Sequence, residues 1–470
     1  MGISSAFVNS SSGLSAAARW SELTANNIAN ANNQGYAKRG LTTESAASGG
    51  VLITGVHREI DSSLIRMYRL ELAGMARQET IATELNNYSY QLGNPNDTFT
   101  ISGQLSGLYS GFGLLSNSPG DASLQNNVLK SAQGLASSLN AASNALAQTL
   151  SSVTKGIESD VGTVNGSLEK IASLNNQIAQ ESNPTARRAI LQDERASEID
   201  ALAQLMNINV SQDNNGNMNI STGGGTQLID GMSFFEVQYD SVGGSLSVGN
   251  AEITPGKDGV RGFSEGQLAG RFELKGEVLP QMQLQLDDFA RALIQGFEAA
   301  DASLGAGQAG LFTDLGANYD PLQFNGLAGR ISVNAAVDPA QGGEIWRIRD
   351  GIGATVQGSA SDSTQAIGFL TVFETAQNFD PAAGQGDTAE LMDYVSGMVA
   401  GQKLVQVHAQ EKQGQLGGKV AAVLSARQSA QGVNLDEELQ RLTQIEQSYA
   451  ANAQVMQSLI AMIDTLLASV

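Results

Sequence analysis

The two ends of this chain carry one helical rhythm, which constrains the fold more than any other feature. At the start, apolar or small residues recur alternately three and four positions apart at Phe7, Ser10, Leu14, Ala17, Ser21, Thr24 and Ile28. The far end repeats the series with bulkier side chains, at Leu435, Leu439, Leu442, Glu446, Tyr449, Ala453, Met456, Ile460, Ile463, Leu467 and Val470. Such spacing marks one stripe of a helix, and a stripe of large apolar residues needs another helix to cover it. Termini are ordinarily polar and frayed. The ends are therefore expected to pair as coiled-coil helices, and assembly with other copies is the class of function favoured.

Composition removes several alternatives. Cysteine is absent, which excludes disulfides, a thiol nucleophile and cysteine-ligated metal sites. The formal charge of -21 repels nucleic acid and anionic lipid, so no nucleic-acid partner is expected. No uncharged apolar window of roughly 18 residues exists, so no membrane insertion is expected. Met1 to Leu14 lacks a basic region and a continuous apolar run, so a general secretory signal peptide is not expected. A cytoplasmic location and export without cleavage both stay open on this evidence. With 53 glycines, 8 prolines and 5% aromatics, the chain reads as helices rich in small residues joined to a polar, turn-rich outer part.

Periodicity divides the interior. Residues 64–92 read as one helix, whereas 93–119 read as an ordered loop or short helices. From Leu124, and clearly from Leu135 to Ile178, apolar residues keep helical spacing over many turns. Asn183-Pro184 ends that helix, and residues 186–206 form a second, making a long hairpin. At Asn207 the period changes to two. Ile208, Val210, Met218 and Ile220 around Asp213-Asn214-Asn215-Gly216 predict a β-hairpin, with short strands following near 234–239 and 246–248. Helix returns over 270–302, with a kink or new start at Leu279-Pro280. Residues 305–386 are Gly-rich and strand-like, including Arg330 to Val333 and Ile345 to Ile348, before a long helix over 389–429. The fold class is mainly α with β-rich insertions and nested, discontinuous domains. Residues 1–35 and 432–470 form a terminal coiled-coil domain. Residues 36–206, 264–304 and 387–431 form a long-helix domain, and 207–263 and 305–386 are small outer β-rich insertions.

No catalytic, cofactor-binding or metal-binding residue is proposed. His57 and His408 are the only histidines and lack a nearby acidic ligand pattern. Asp213 to Gly216 lacks the closing Glu of a calcium loop and sits where a hairpin turn is expected. Gly223-Gly224-Gly225 is followed by no Lys-Ser/Thr and is not a phosphate loop. Asp287-Asp288 reads as a solvated helix surface. Asp436-Glu437-Glu438 reads as first-turn acids favoured by the helix dipole. The chain does not read as an enzyme.

Ser21-Glu22-Leu23-Thr24-Ala25-Asn26-Asn27-Ile28-Ala29-Asn30, followed by Gly35-Tyr36, resembles the N-terminal signature of bacterial flagellar rod, hook and hook-associated proteins. Gly432-Val433-Asn434-Leu435-Asp436-Glu437-Glu438, Tyr449, Ala451-Asn452-Ala453-Gln454-Val455 and Leu466-Leu467 narrow it, resembling the hook-associated protein 1 family. Leu191-Gln192-Asp193-Glu194-Arg195, Leu268 to Pro280 and Gly310-Leu311-Phe312 agree. The chain departs at Leu191-Gln192 and in its short outer insertion.

The resemblance implies a structural subunit joining hook to filament, secreted through the flagellar type III channel to the extracellular flagellum. Implied partners are the hook protein, a second junction protein and the flagellin filament, neighbouring copies, and a cytoplasmic export chaperone on the C-terminal helix. The expected assembly positions are Phe7, Leu14, Ala17, Asn26, Asn27, Ile28, Asn30, Gly35 and Tyr36 at the start. Those at the end, shared with the chaperone, are Leu435, Leu439, Leu442, Tyr449, Asn452, Met456, Ile460, Ile463 and Leu467. The alternatives are a hook or distal-rod protein, or a secreted adhesin carried by the β insertions. Burying the C-terminal seam yields on the order of 15 to 25 kcal/mol, while ordering the backbone costs about 1 to 2 kcal/mol per residue. Both ends are therefore expected to be largely disordered in the monomer and helical once neighbours cover the seam.

Overall fold

The computed structural model describes residues 2–33, 35–47, 49–93, 97–181 and 183–468. Val470 of the terminal seam, and Met1 and Gln34 of the N-terminal segment, lie outside them. The chain divides into two compact units, one of residues 1–77, 159–269 and 413–470, the other of 78–158 and 270–412.

The first unit begins with α1 (Ile3–Ala29) and the hairpin β1 (Arg39–Ser45) and β2 (Val51–Arg58). It takes in the start of α2 (Ser62–Leu92) and the end of α4 (Ala122–Gln180), then α5 (Ala186–Leu205). Two antiparallel sheets follow. One is ordered β3 (Ile208–Gln212), β4 (Met218–Thr222), β5 (Gln227–Asp230), β6 (Ser233–Phe234); the other is β7 (Val237–Asp240), β8 (Ser245–Val248), β9 (Ala251–Glu252). The end of α10 (Leu391–Gln431) and α11 (Leu435–Ala468) complete the unit.

The hairpin between β3 and β4 turns as its sequence requires. Asp213 Oδ1 accepts the N–H groups of Asn215 and Asn217, both at 2.8 Å, and Gly216 takes φ +86°. A left-handed φ favours glycine, so the calcium-like residues here form a turn. The sheets are fastened to the helices by amides. Asn175, wholly buried in α4, donates to the carbonyls of Met218 (3.0 Å) and Gly231 (2.6 Å). Its oxygen accepts from the Met218 N–H (3.2 Å) and from Arg195 Nη1 (2.6 Å). Asn165 exchanges two hydrogen bonds with the Val237 backbone in the same way.

The second unit differs from the sequence expectation in three places. Residues 93–119 contain a full helix, α3 (Ile101–Asn117), capped by Thr100 Oγ1 accepting the Gly103 N–H at 3.1 Å. Its glycines hid it, because propensity argues against a helix while Ile101, Leu105, Leu108, Phe112 and Leu115 bury one face. Gly111 allows the close approach, since a Cβ there would lie 3.2 Å from Val128. Ile345 to Ile348 is not a strand but leads into the short helix α8 (Arg347–Asp350), followed by α9 (Thr364–Glu374). Four residues cannot distinguish a strand from one buried turn; burial of Ile348 and the Arg349–Asp350 ion pair at 2.6 Å decide the turn.

The third difference is Asp287-Asp288, in α7 (Leu279–Ala300), which is buried rather than solvated. Asp287 accepts the N–H groups of Gly326 and Ala328, both at 2.8 Å, and Asp288 accepts that of Asp380 at 2.7 Å. The loops that supply these donors are distant in sequence, so no local pattern announces them. Burial holds the Asp287 carboxyl above its usual range. A short π-helical turn, Leu274–Val278, joins α6 (Gln267–Glu273) to α7, and Pro280 falls at the start of α7, where a missing N–H costs little. The core gathers Phe112, Phe297, Phe369 and Phe373, with ring centroids 5.3 to 6.5 Å apart.

Two outcomes follow for this fold. Asn175→Leu removes one partner each from the Met218 N–H, the Met218 and Gly231 carbonyls and Arg195 and is expected to cost roughly 2 to 4 kcal/mol in urea unfolding. Burial also raises the phenol pKa of Tyr88 and Tyr394 well above the unfolded value of about 10. A raised folded pKa contributes stability fully below the unfolded pKa and loses it above. The urea midpoint should therefore hold between pH 8 and 10, as flagged by tyrosine's ordinary value of about 10, and fall steadily at higher pH.

Candidate functional site

Helices α1 and α11 lie antiparallel along each other: Gly13 meets Asn452, Trp20 meets Arg441 and Asn27 meets Glu438. Small residues make the approach possible. Ser10, Ala16, Ala17 and Thr24 of α1 are buried, and a Cβ on Gly13 would fall 2.9 Å from the Asn452 amide. The ends expected to be disordered in the monomer are helices here, because each supplies part of the burial that the other lacks.

The C-terminal seam splits. Leu442, Ile445, Asn452, Met456 and Ile463 are half-buried and Leu459 buried, all at alternating heptad positions. Leu435, Leu439, Tyr449, Ile460 and Leu467 remain 46% to 71% exposed, and Val455, Met462 and Leu466 are exposed as well. Two helices cover one pair of heptad columns. The exposed Leu439, Ile460 and Leu467 form the neighbouring column. On α1, Ala17 and Asn27 are buried, Leu14, Ile28 and Asn30 are half-buried, and Phe7 and Asn26 are exposed. Asn30 donates to the Asn26 carbonyl at 2.9 Å.

A polar lock closes the end of the pair, and Asn27 is its centre. Its Nδ2 donates to the Arg39 carbonyl (3.0 Å) and to Glu438 Oε2 (3.2 Å). Its Oδ1 accepts from the Tyr36 hydroxyl (2.7 Å) and the Arg39 N–H (3.2 Å). The Arg39 guanidinium lies 4.5 Å over the Tyr36 ring and pairs with Asp193 at 2.8 Å; Arg58 pairs with the other Asp193 oxygen at 2.7 Å. Buried Glu438 has Arg441 at 3.8 Å and Lys38 at 3.9 Å, and Lys38 reaches Glu437 at 3.2 Å. Burial raises the Tyr36 phenol, against the opposing pull of Arg39, and lowers Arg58, against the support of Asp193.

Exposed Gly35 and buried Tyr36 line a cavity of about 330 Å³ with Gly432 and Val433, so the N- and C-terminal signatures meet there. The Lys38 N–H donates to the Gln431 carbonyl at 2.8 Å, tying the segment after α1 to the segment before α11.

Sequence reasoning missed Arg39, Arg58 and Asp193 as part of this site, and missed the contact of Glu438 with Asn27. The Asn434 side chain caps α11 by accepting the Asp436 N–H at 3.0 Å, while Glu438 turns inward to the lock. It is a first-turn acid of α11, as the sequence reading has it, and in addition a tertiary ligand of Asn27. Its signal was weak: one carboxylate among three, with a partner 411 positions away. Among the described residues no group of three His, Asp or Glu could hold a metal ion.

Asn27→Leu would leave the Tyr36 hydroxyl, the Arg39 N–H and Glu438 without their partner. The terminal pair should lose on the order of 3 kcal/mol, read as an earlier change in Trp20 fluorescence on urea titration.

Residues 85–312 match the helical domain of flagellar hook-associated protein FlgK, and residues 425–469 match the C-terminal domain of the flagellar basal body rod FlgEFG proteins. Flagellar hook-associated protein 1 of Bacillus subtilis (strain 168) is 26% identical over 92% of each chain. Its Escherichia coli (strain K12) counterpart is 24% identical over 99% of this chain and 100% of its own. A solved structure of the flagellar hook junction protein FlgK from Burkholderia pseudomallei aligns with a TM-score of 0.44 and 24% identity, over 53% of this chain and 46% of that one. With a helical-domain match, an axial C-terminal match and relatives spanning its length, the chain belongs to the flagellar hook-associated protein 1 family, whose members are structural parts of the flagellum and not enzymes.

Proposed function

We propose that this structural protein of the extracellular hook–filament junction assembles through its paired terminal helices, and that the uncovered column of α11 is the surface neighbouring subunits complete. The observation that carries this reading is the uneven cover of α11. One side of the helix packs on α1, while Leu439, Ile460 and Leu467 stand exposed in line beside it. Large apolar residues repeated at heptad spacing on an exposed face mark a helix partner. A ring or tube of subunits requires two different faces in contact, which this pair supplies: the small-residue back of α1 and the bulky flank of α11.

The occupants of these faces are neighbouring copies, the hook protein on one side, and the second junction protein with the flagellin filament on the other. Before export the α11 flank serves a cytoplasmic chaperone as a helix to hold in a groove. The β-rich insertion of residues 207–263 faces outward in this reading and takes no part in the tube.

Because Leu439 and Ile460 are exposed, acidic replacements leave the monomer fold intact and test assembly directly. Leu439→Asp and Ile460→Asp should each keep the far-UV circular dichroism of the purified chain while cells lose filament attachment and shed flagellin into the medium. Normal motility in both variants would remove the α11 flank from the assembly surface.

A further inference from the structure

Strand β3 is the open edge of its sheet. The Asn207 carbonyl accepts the Gly223 N–H at 3.0 Å, and the Asp213 N–H donates to the Asn217 carbonyl at 3.0 Å. With the β3–β4 register, these bonds make the odd-numbered residues the ones that exchange hydrogen bonds across the pair. Alternate residues of an antiparallel strand aim their backbone groups the other way. The N–H and C=O groups of Ile208, Val210 and Gln212 therefore face the open side, and among the described residues these three amides have no acceptor.

That open side is a groove of about 400 Å³, walled on its other flanks by α2 and α5. Ile65, Ile199 and Met218 give it an apolar lining, and Arg58, Arg66, Arg69 and Arg195 border it. The positive charge exceeds what the chain neutralises. Asp193 is shared by Arg39 and Arg58, and Asp200 by Arg69 (2.6 Å) and Arg427 (2.8 Å). Arg195, 2% exposed, bonds neutral acceptors, Asn175 Oδ1 and the Gly216 carbonyl, with Asp213 acting on it through space. Arg66 is exposed and has no ion pair among the described residues. In a chain of net charge -21 this groove reverses the prevailing field.

Each feature asks for one property of a partner. Unpaired edge amides accept an extended segment as an added strand. Arginines select carboxylates, and the apolar lining takes the side chains that alternate with them. A second copy is a poor source, because among the described residues no strand carries two carboxylates and copies of this charge repel one another.

We propose that the groove beside β3 docks an extended segment of a different protein, alternating acidic and apolar residues, as an added strand. This site is separate from the α11 flank, so either can fail without the other.

The test uses the full chain and a blocked peptide alternating valine and glutamate, with a valine–lysine peptide and inorganic phosphate as controls. The acidic peptide should bind and slow hydrogen exchange at Ile208, Val210 and Gln212 by about tenfold or more. Arg66→Glu, at an exposed position, should weaken binding about tenfold. Val210→Pro removes one outward N–H, a change an edge strand tolerates, and should weaken binding while the circular dichroism is unchanged. Equal binding of the lysine peptide, unchanged affinity in Arg66→Glu, or binding without protection of 208–212 would each overturn the proposal. So would displacement of the peptide by phosphate at equal concentration, which reduces the groove to an anion site. Self-association lost in Arg66→Glu would also overturn it, by making a second copy the occupant.

Discussion

The terminal pair depends on one buried amide. A coiled-coil seam of small residues against bulky ones does not select its own register, because sliding by a heptad returns similar contacts. Asn27 selects it. Its two donors and two acceptors are all used, by Glu438 of α11 and by Tyr36 and Arg39 of the segment that leaves α1. A buried amide out of register would leave those groups unpaired, so the lock discriminates strongly even if its net contribution is modest. Through Arg39 and Asp193 the same lock reaches α5, which places the helix pair against the body of its unit.

The covered column of α11 is the one that carries Glu438. Once Glu438 is fixed on Asn27, Leu442, Met456 and Ile463 turn towards α1, and Leu439, Ile460 and Leu467 turn away. The bonds of the lock leave the exposed column of α11, the proposed assembly surface, uncovered.

Much of this was legible in the chain. The bounds of α2, α5 and α10, the β3–β4 hairpin and the pairing of the ends follow from period, capping and turn chemistry, which act over a few residues. What escaped shares one cause. Helix α3 is rich in glycine and is held by the face it buries, whereas Asp287 and Asp288 look solvated until loops from residues 326–328 and 380 bring them donors. Arg39, Asp193 and Glu438 are ordinary surface residue types in sequence, and they become a buried network only when three distant segments converge.

The sequence by itself determined that this chain is mainly helical, acidic and cysteine-free, that its ends pair, and which family it resembles. Those properties rest on local spacing and composition, which need no coordinates. Tertiary structure decided which half of the α11 seam is covered and that a buried asparagine sets its register. It also decided that β3 presents free amides to a ring of arginines. The physical reason is that burial and hydrogen-bond completion belong to pairs of segments, and no single segment encodes its partner.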